Sequence, residues 1–248
     1  MAAGRPARSG SILLTQSHTP VRWRAFMLPR DIGLFLRSAR TDRAIAARQS
    51  AEGSRAAFEA AYAGGADPWA SANPAYRYQR RKYEVLAGLL PDRPFARALD
   101  LGCGHGLFAR HLAPRAGHVL GLDLAQAAID QARKLSAHLP NLAFEQADLT
   151  DLPAELDGQF DLVVVADTLY YLSPLPDALL KAMALRVARL LAPGGLCLLA
   201  NHFFFSADAE SRLSQRIHRA FAWSPALSVV SEHRRAFFLA SLLQAASE

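Results

Sequence analysis

The chain has 248 residues, of which 51% are hydrophobic and 20% charged, and its formal net charge is +6. This length and apolar content predict one large, soluble, globular domain with a substantial core. No apolar run approaches the roughly 18 to 20 residues that span a bilayer, and the short apolar run near the start lacks the flanks of a secretory signal. We therefore expect no membrane span and a cytoplasmic protein.

The positive charge is concentrated in the first 55 residues, which hold ten arginines and three acidic residues for a net charge of +7. We predict a basic, disordered leader over residues 1–55 and one folded domain over residues 56–248, with Met27 as an alternative start. The arginine-rich, acid-poor composition also fits a nucleic-acid arm, a membrane arm or a transit peptide, and the sequence leaves these alternatives open.

A loop and a helix come next. Residues 63–74 combine glycine, proline and small side chains with one large aromatic residue, Trp69, which is typical of a loop. Residues 75–91 carry apolar and aromatic side chains at helical spacing and end at a proline, which predicts an amphipathic helix with a solvated basic face. Because its aromatic residues are interleaved with arginine and lysine, RNA binding is an alternative interpretation.

From residue 97 onward, strand-like and helix-like segments alternate. Five apolar strands are each followed by a helical pattern, except that a short connector around Leu152 follows the third. Such alternation predicts a parallel sheet with helices on both faces, because right-handed crossovers place each helix against a face of the sheet. Residues 226–230 and 236–243 are strand-like and too close in sequence for a helical crossover, so they predict an antiparallel hairpin at the sheet edge.

A glycine turn separates the first strand from its helix, where the sequence LDLGCGHG places glycines at positions 102, 104 and 106. Glycine has no β-carbon and adopts positive φ, so the backbone can approach a ligand, and the helix behind it offers unpaired N–H groups. The spacing differs from the dinucleotide pattern G-x-G-x-x-G, whose last glycine would fall at Leu107. The turn predicts a nucleotide-like ligand; a tight turn without a ligand is the alternative.

An acidic residue ends or follows each of the first four strands: Asp100, Asp123, Asp148 and Asp167. Ligands of open α/β sheets bind beyond the carboxyl ends of the strands, so these carboxylates are expected at one site, although each could also cap a helix. Asp123 offers two acceptor oxygens to the paired hydroxyls of a ribose, and Asp148 with the N–H of Leu149 suits adenine. Asp100 suits an amino group better than a phosphate. The ligand implied combines adenine, ribose and an amino acid.

In chain order, the segments LDLGCGHG, LGLD, QADL, FDLVVVADTLYYL and LAPGGLCLLA resemble the motifs of class I S-adenosylmethionine-dependent methyltransferases over residues 76–248. The resemblance implies a Rossmann-like α/β fold with a seven-stranded sheet, mostly parallel with an antiparallel last strand, and helices on both faces. It also implies S-adenosyl-L-methionine as the cofactor, bound by Gly102, Gly104, Asp123, Asp148 and Leu149. Further cofactor-binding candidates are Asp100, Cys103, Gly106, Leu124, Ala166, Trp69 and Tyr78.

A narrower resemblance links the chain to the nodulation protein S group of N-methyltransferases. It is carried by DPW at residues 67–69, by Tyr78, Lys82 and Tyr83, by LYYL at residues 169–172 and by His202. That group methylates a sugar amine on a chitooligosaccharide, which implies a small-molecule acceptor with an amine or hydroxyl, such as a saccharide. The chain departs from the group in its basic leader and in having aspartate rather than glutamate at position 167.

Methyl transfer requires alignment of nucleophile, methyl and sulfur, and an acceptor ammonium or hydroxyl must also lose a proton. His202 at the tip of the fifth strand and Asp167 at the tip of the fourth are the candidate bases, and Tyr171 is a third catalytic candidate. Hydrogen-bonding and capping roles are the alternatives for these residues. The acceptor is expected to meet an aromatic wall formed by Trp69, Tyr78, Tyr170 and Tyr171.

The sequence predicts no metal site. His105, His111 and His118 lack a close helical ligand spacing. The two cysteines, Cys103 and Cys197, fall in the glycine turn and in a predicted buried strand, so we expect neither a thiolate site nor a disulfide.

Two other functions remain open from the sequence. A regulatory protein could keep the cofactor pocket without turnover, and a nucleic-acid methyltransferase could use the basic leader as an arm. The Asn/Asp-Pro-Pro-Tyr/Phe motif of many enzymes that methylate exocyclic base amines does not follow the fourth strand, where ADTLYYL stands instead. We therefore expect a small-molecule acceptor rather than nucleic acid. The sequence does not indicate an oligomeric state.

Overall fold

The computed structural model describes residues 28–172, 174–204, 208–235 and 237–246. The strands are β1 Phe95–Leu101, β2 Ala116–Asp123, β3 Leu142–Gln146, β4 Phe160–Ala166, β5 Leu191–His202, β6 Leu227–Arg235 and β7 Phe238–Ala245. The α-helices are α1 Ile32–Glu52, α2 Ser54–Tyr62, α3 Arg77–Gly88, α4 Leu107–Leu112, α5 Gln126–Ser136, α6 Asp177–Leu190 and α7 Ala209–Ala222. None of the helices in the described part of the chain has the length and apolar character needed to cross a bilayer.

The seven strands form one sheet in the order β3-β2-β1-β4-β5-β7-β6. The pairs from β3 through β5 are parallel, and β7 runs antiparallel to both β5 and β6. The predicted fold class is therefore confirmed, including the antiparallel last strand. The predicted hairpin is also present, with β7 inserted between β5 and β6.

The central strands are buried on both faces, and β4 shows how this arises. Leu162 and Val164 point into the core on one face of the sheet, while Val163 and Val165 point into the core on the other. Successive side chains of a strand alternate between faces, so a continuous apolar run predicts helices on both sides. Because both faces of the sheet are packed, the ends of β1, β2, β4 and β5 are held in place. The residues that follow these strands are therefore also held in place.

The structure differs from the predicted disordered leader over residues 28–55. Residues 1–27 of that leader lie outside the described residues, but Ile32–Glu52 form a helix of 21 residues. Apolar contacts join this helix to the domain, since the Phe35 ring packs against Tyr78 and Phe204. Polar contacts add to them: Thr41 Oγ1 donates to the Pro68 carbonyl at 2.7 Å, and Gln49 Nε2 donates to the Tyr171 carbonyl at 2.9 Å. The basic side chains of this helix are exposed to solvent. The composition of the segment therefore did not reveal that the helix belongs to the domain.

Helix α2 is also held by a tertiary contact. The Glu59 carboxylate accepts hydrogen bonds from the backbone N–H groups of Gln126 and Ala127, at the start of α5. No side chain within α5 itself caps that end. Because the first N–H groups of a helix lack partners inside the helix, Glu59 supplies the missing acceptor and attaches α2 to the sheet domain.

Candidate active site

A cavity of about 300 Å³ opens at the carboxyl ends of the strands, under α1 and α2. All of the sequence-predicted site residues line this cavity except Asp100 and Gly106. Those that line it are Trp69, Tyr78, Gly102, Cys103, Gly104, Asp123, Leu124, Asp148, Leu149, Ala166, Asp167, Tyr171 and His202. The volume is at the lower end of the range for small-molecule sites, roughly 300–1,000 Å³.

The glycine turn lies against the cavity with its backbone in the left-handed region. Gly102 has φ +73° and Gly104 has φ +51°. A β-carbon at Gly102 would lie 2.4 Å from the Thr168 side chain, and one at Gly104 would lie 2.8 Å from the Tyr62 hydroxyl. Both positions therefore require glycine for conformation and for space. Gly106 also has positive φ, but it starts α4 beneath Phe144 and does not reach the cavity wall.

Asp123 connects this turn to the next strand end. Its Oδ2 accepts from the Gly104 N–H at 2.9 Å, and its Oδ1 accepts from the Ala125 N–H at 3.0 Å. Burial raises the pKa of Asp123, and hydrogen bonds from the backbone N–H groups of Ala125, Gly104 and Leu124 oppose that rise. Each carboxylate oxygen keeps a second lone pair, so both can still accept from a pair of ligand hydroxyls.

Asp148 and Leu149 lie beside Asp123 on the cavity wall. Asp148 Oδ1 accepts from the N–H and the hydroxyl of Thr150, which holds the carboxylate in place and leaves Oδ2 without a described donor. Leu149 is buried and gives the site an apolar surface. A flat ring with an exocyclic amine fits this combination of an apolar surface and a carboxylate.

Asp100 lies behind the wall rather than on it. It is 2% exposed, its Oδ2 is buried without a hydrogen-bond partner, and burial raises its pKa to about 7. The Ala109 N–H lowers this pKa, and the charge of Asp123 raises it. A buried carboxylate oxygen without a donor is costly, and an ammonium group close to the glycine turn would reduce that cost.

A buried ion pair lies on the part of the cavity wall that follows β4. Lys82 of α3 is 2% exposed and donates to Asp167 Oδ2, and its ammonium also lies 5.7 Å from the centroid of the Phe238 ring. Asp167 has φ +55°, which is uncommon for a residue with a β-carbon, and its Oδ1 is buried without a partner. The sequence identified Asp167, but it did not indicate that α3 brings Lys82 to it.

His202 is at the end of β5, where it also faces the cavity. Its Nε2 lies 3.4 Å from Glu210 Oε2, and its ring stacks on Phe204 and contacts the edge of Tyr170. Glu210 begins the first turn of α7, so the sheet and the following helix jointly place this imidazole and carboxylate pair. Sequence analysis identified His202 and missed Glu210.

The main residue that sequence analysis missed is Asp42, in the middle of α1. Its Oδ1 accepts from Trp69 Nε1 at 2.7 Å and from the Tyr171 hydroxyl at 2.6 Å. Tyr171 was predicted to be catalytic. Its hydroxyl is thus hydrogen-bonded to a residue that lies within the predicted leader. The available sequence signal was the helical spacing of Phe35, Ala39 and Asp42, which all line the cavity.

Trp69 and Tyr78 have different surroundings, although both were predicted to bind cofactor. Trp69 packs between Tyr62, next to the glycine turn, and Tyr171, with ring centroids 5.7 Å away in each case. Tyr78 packs against Phe35, and its hydroxyl donates to the Phe237 carbonyl. Burial and the charge of Asp167 raise the pKa of Tyr78. The described contacts of this side chain are thus with α1 and with the residue before β7.

Comparison with known proteins agrees with this geometry. A family profile described as a methyltransferase domain matches residues 98–195. Nodulation protein S of Sinorhizobium fredii is 30% identical over 156 residues, covering 63% of this chain and 67% of that protein. Nodulation protein S of Rhizobium tropici is 33% identical over 130 residues, 52% of each protein, so the match spans about half the length of that relative.

A solved structure shows the same fold. N-methyltransferase NodS from Bradyrhizobium japonicum, in complex with S-adenosyl-L-homocysteine, has a TM-score of 0.63 to this chain at 22% identity. The similarity covers 77% of this chain and 97% of that one. At this level of identity, the comparison concerns the fold.

The mixed seven-stranded sheet, the glycine turn and the acidic strand ends define a Rossmann-like methyltransferase. The chain belongs to the class I S-adenosylmethionine-dependent methyltransferases and is related to nodulation protein S. The family and the cofactor predicted from the motifs are thereby confirmed.

Proposed function

We propose that the chain transfers a methyl group from S-adenosylmethionine to an amine or hydroxyl of a small molecule, with a saccharide as the acceptor class. The observation that carries the proposal is a single cavity that joins two sets of groups. Asp123 and the glycine turn line the end of the cavity beside β2 and β1, and Asp167 and His202 line the end beside β4 and β5. The resemblance to the nodulation protein S group, carried by the sequence motifs, favours an amine over a hydroxyl.

The residues at the first end fit the cofactor. Asp123 has free lone pairs for the ribose hydroxyls, Asp148 and Leu149 suit the adenine, and the buried Oδ2 of Asp100 lacks a donor. S-adenosylmethionine supplies an electrophilic methyl on a sulfonium when it is bound. The glycine turn and Asp123 then orient the ligand, which lowers the barrier mainly by alignment.

The residues at the second end are proposed to receive the acceptor. An amine attacks as the neutral base, so an acceptor ammonium must first lose a proton. We propose that His202 accepts that proton, because its ring faces the cavity and Glu210 can stabilise the imidazolium. Asp167 is proposed to accept a hydrogen bond through Oδ1, since its Oδ2 is bonded to Lys82.

An acceptor screen tests the function directly. The full chain is incubated with methyl-labelled S-adenosylmethionine and with amino sugars, simple amines and their hydroxyl analogues. Label is expected in at least one amine, and mass spectrometry shows whether nitrogen or oxygen carries it. If S-adenosylhomocysteine binds but no acceptor in the panel is labelled, the non-catalytic regulatory alternative is favoured instead.

Replacing Asp123 by alanine should weaken S-adenosylhomocysteine binding by about 1.5–3 kcal/mol, the range for hydrogen bonds to charged groups. The change removes the proposed ribose acceptor and also leaves the Gly104 and Ala125 N–H groups without their partner. Calorimetry on the folded variant measures the effect. Asp151→Ala, an exposed aspartate in the loop after β3, serves as the control and should bind normally. Unchanged affinity in the Asp123 variant would reject the assignment.

A truncated chain that begins at Met27 should fold and bind S-adenosylhomocysteine like the full chain. The described contacts of α1 with the domain lie beyond that point and include the Phe35 ring against Tyr78, as well as the hydrogen bonds of Thr41 and Asp42. A chain that begins at Ser54 lacks α1 and should lose the acceptor end of the cavity. Binding of RNA or DNA that weakens with salt, and that residues 1–26 alone confer, would instead favour the nucleic-acid alternative.

The cytoplasm is retained as the proposed location. Both cysteines, Cys103 and Cys197, are buried and free, as is usual for proteins of a reducing compartment.

A further inference from the structure

The Asp42 carboxylate accepts hydrogen bonds from uncharged donors, which leave its negative charge without a partner in the described part of the chain. Both of its hydrogen-bond donors, the Trp69 indole and the Tyr171 hydroxyl, are uncharged and share Oδ1. Among the described side chains, no lysine, arginine or histidine nitrogen lies within 4.0 Å of this carboxylate. By contrast, Asp167 forms an ion pair with Lys82. Of these two carboxylates, only Asp42 lacks a positively charged partner within 4.0 Å among the described side chains.

Aromatic rings surround the same carboxylate on the cavity wall. The Tyr171 ring centroid lies 5.7 Å from that of Trp69, 5.3 Å from that of Phe58 and 4.4 Å from that of Tyr170. All four rings line the cavity together with Asp42. Aromatic faces attract cations, most strongly where water is excluded, and a carboxylate among them adds a full negative charge. The group therefore has the chemistry of an ammonium site.

The charged residues around Asp42 shift its pKa, but none of the described ones forms an ion pair with its carboxylate. Burial raises the pKa of Asp42, as does Glu210 of α7, while the two hydrogen bonds and His202 of β5 lower it. Arg43, the neighbouring residue on α1, also lines the cavity but makes no ion pair with Asp42. The ionised carboxylate thus loses hydration without gaining an ion-pair partner within 4.0 Å among the described side chains, and a cationic ligand would supply one.

We propose that Asp42, within the ring group of Phe58, Trp69, Tyr170 and Tyr171, binds the charged amine of the acceptor and so selects amines over alcohols. The inference rests on the proposed function, because it names the residue that recognises the acceptor. It concerns binding of the ammonium before proton loss, so no covalent bond forms or breaks in this step. Asp42 then determines specificity, while His202 remains the proposed base.

The test measures binding without turnover. The full chain is saturated with S-adenosylhomocysteine and titrated with ethanolamine, glucosamine and putrescine, each against its uncharged counterpart: ethylene glycol, glucose and 1,4-butanediol. At least one amine should bind ten times more tightly than its counterpart. In Asp42→Asn this preference should fall at least tenfold while S-adenosylhomocysteine affinity is kept, because the amide oxygen can still accept from Trp69 and Tyr171.

Two further variants complete the experiment. Glu52→Gln removes the same charge from the same helix at an exposed site paired with Arg48, and it should keep the amine preference. Phe58→Leu removes one ring of the group and leaves the charge of Asp42, so it should lower the affinity for the amine. If Asp42→Asn does not fold, a Phe58→Leu variant that keeps the full amine affinity overturns the proposal. The proposal is overturned if the wild type prefers no amine over its counterpart, or if Asp42→Asn keeps the preference. Failure of methyl transfer in the acceptor screen is a separate result, since these titrations contain no methyl donor.

Discussion

Replacing His202 by alanine should lower kcat by about 10²–10⁴-fold, the usual contribution of a general base. His202 faces the cavity, and its Nε2 lies 3.4 Å from Glu210 Oε2. A neutral imidazole placed in this way can take the proton of an acceptor ammonium, and the carboxylate stabilises the resulting charge. S-adenosylhomocysteine affinity should hardly change, because His202 is not a proposed cofactor ligand. Steady-state kinetics and calorimetry measure the two effects separately.

Asp167→Asn is the comparison for this experiment. Because Asp167 forms an ion pair with the Lys82 ammonium, a proton taken up by either of its carboxylate oxygens would weaken that pair. We therefore expect the Asp167→Asn variant to keep the acid limb of the pH–rate profile. The His202→Ala variant should lose the enzyme's contribution to that acid limb and keep the contribution of the acceptor ammonium. If both variants turn over at the wild-type rate across the pH range, neither residue is the base and solvent takes the proton.

Lys82→Met should lower the free energy of unfolding by about 3–5 kcal/mol, because it leaves the Asp167 carboxylate without its partner in a mostly buried position. Lys82 is 2% exposed and the Asp167 side chain 21% exposed. The Oδ1 of Asp167 already has no partner, so the variant would leave both carboxylate oxygens without a donor. Denaturant titration at constant protein concentration measures the loss.

The double variant Lys82→Met/Asp167→Asn tests the cause of that loss. Replacing both partners removes the unpaired charge, so the double variant should be more stable than Lys82→Met alone. Lys181→Met, at an exposed position on α6, should change stability by less than about 0.5 kcal/mol. A double variant no more stable than the single one would show that the loss comes from packing of the lysine stem rather than from charge.

The sheet and the cofactor end of the site could be predicted because their signals are local. The apolar run Phe160–Ala166 is continuous, and its alternating side chains enter both cores, so the sequence alone indicates a strand covered on two faces. The glycine turn and Asp123 follow directly from their strands. Parallel strands end at one edge of the sheet, so the sequence alone places together residues that are far apart along the chain.

The acceptor end could not be predicted in the same way, because its contacts join segments without a shared local pattern. Asp42 is 129 positions from Tyr171, and Lys82 is 85 positions from Asp167. In the sequence, Asp42 is one of three acidic residues in a basic segment, and Lys82 is one cation of an ordinary amphipathic helix. Neither pattern indicates which carboxylate or hydroxyl lies opposite.

The sequence by itself determined the fold class, the family and the cofactor, since strand periodicity, glycine spacing and acidic strand ends act over a few residues each. Only the tertiary structure decided that α1 belongs to the domain, that Asp42 holds Trp69 and Tyr171, and that Lys82 is paired with Asp167. The physical reason is that hydrogen bonds and ion pairs depend on distances of a few ångströms between atoms. Those distances are set by how helices pack on the sheet, which no single segment encodes.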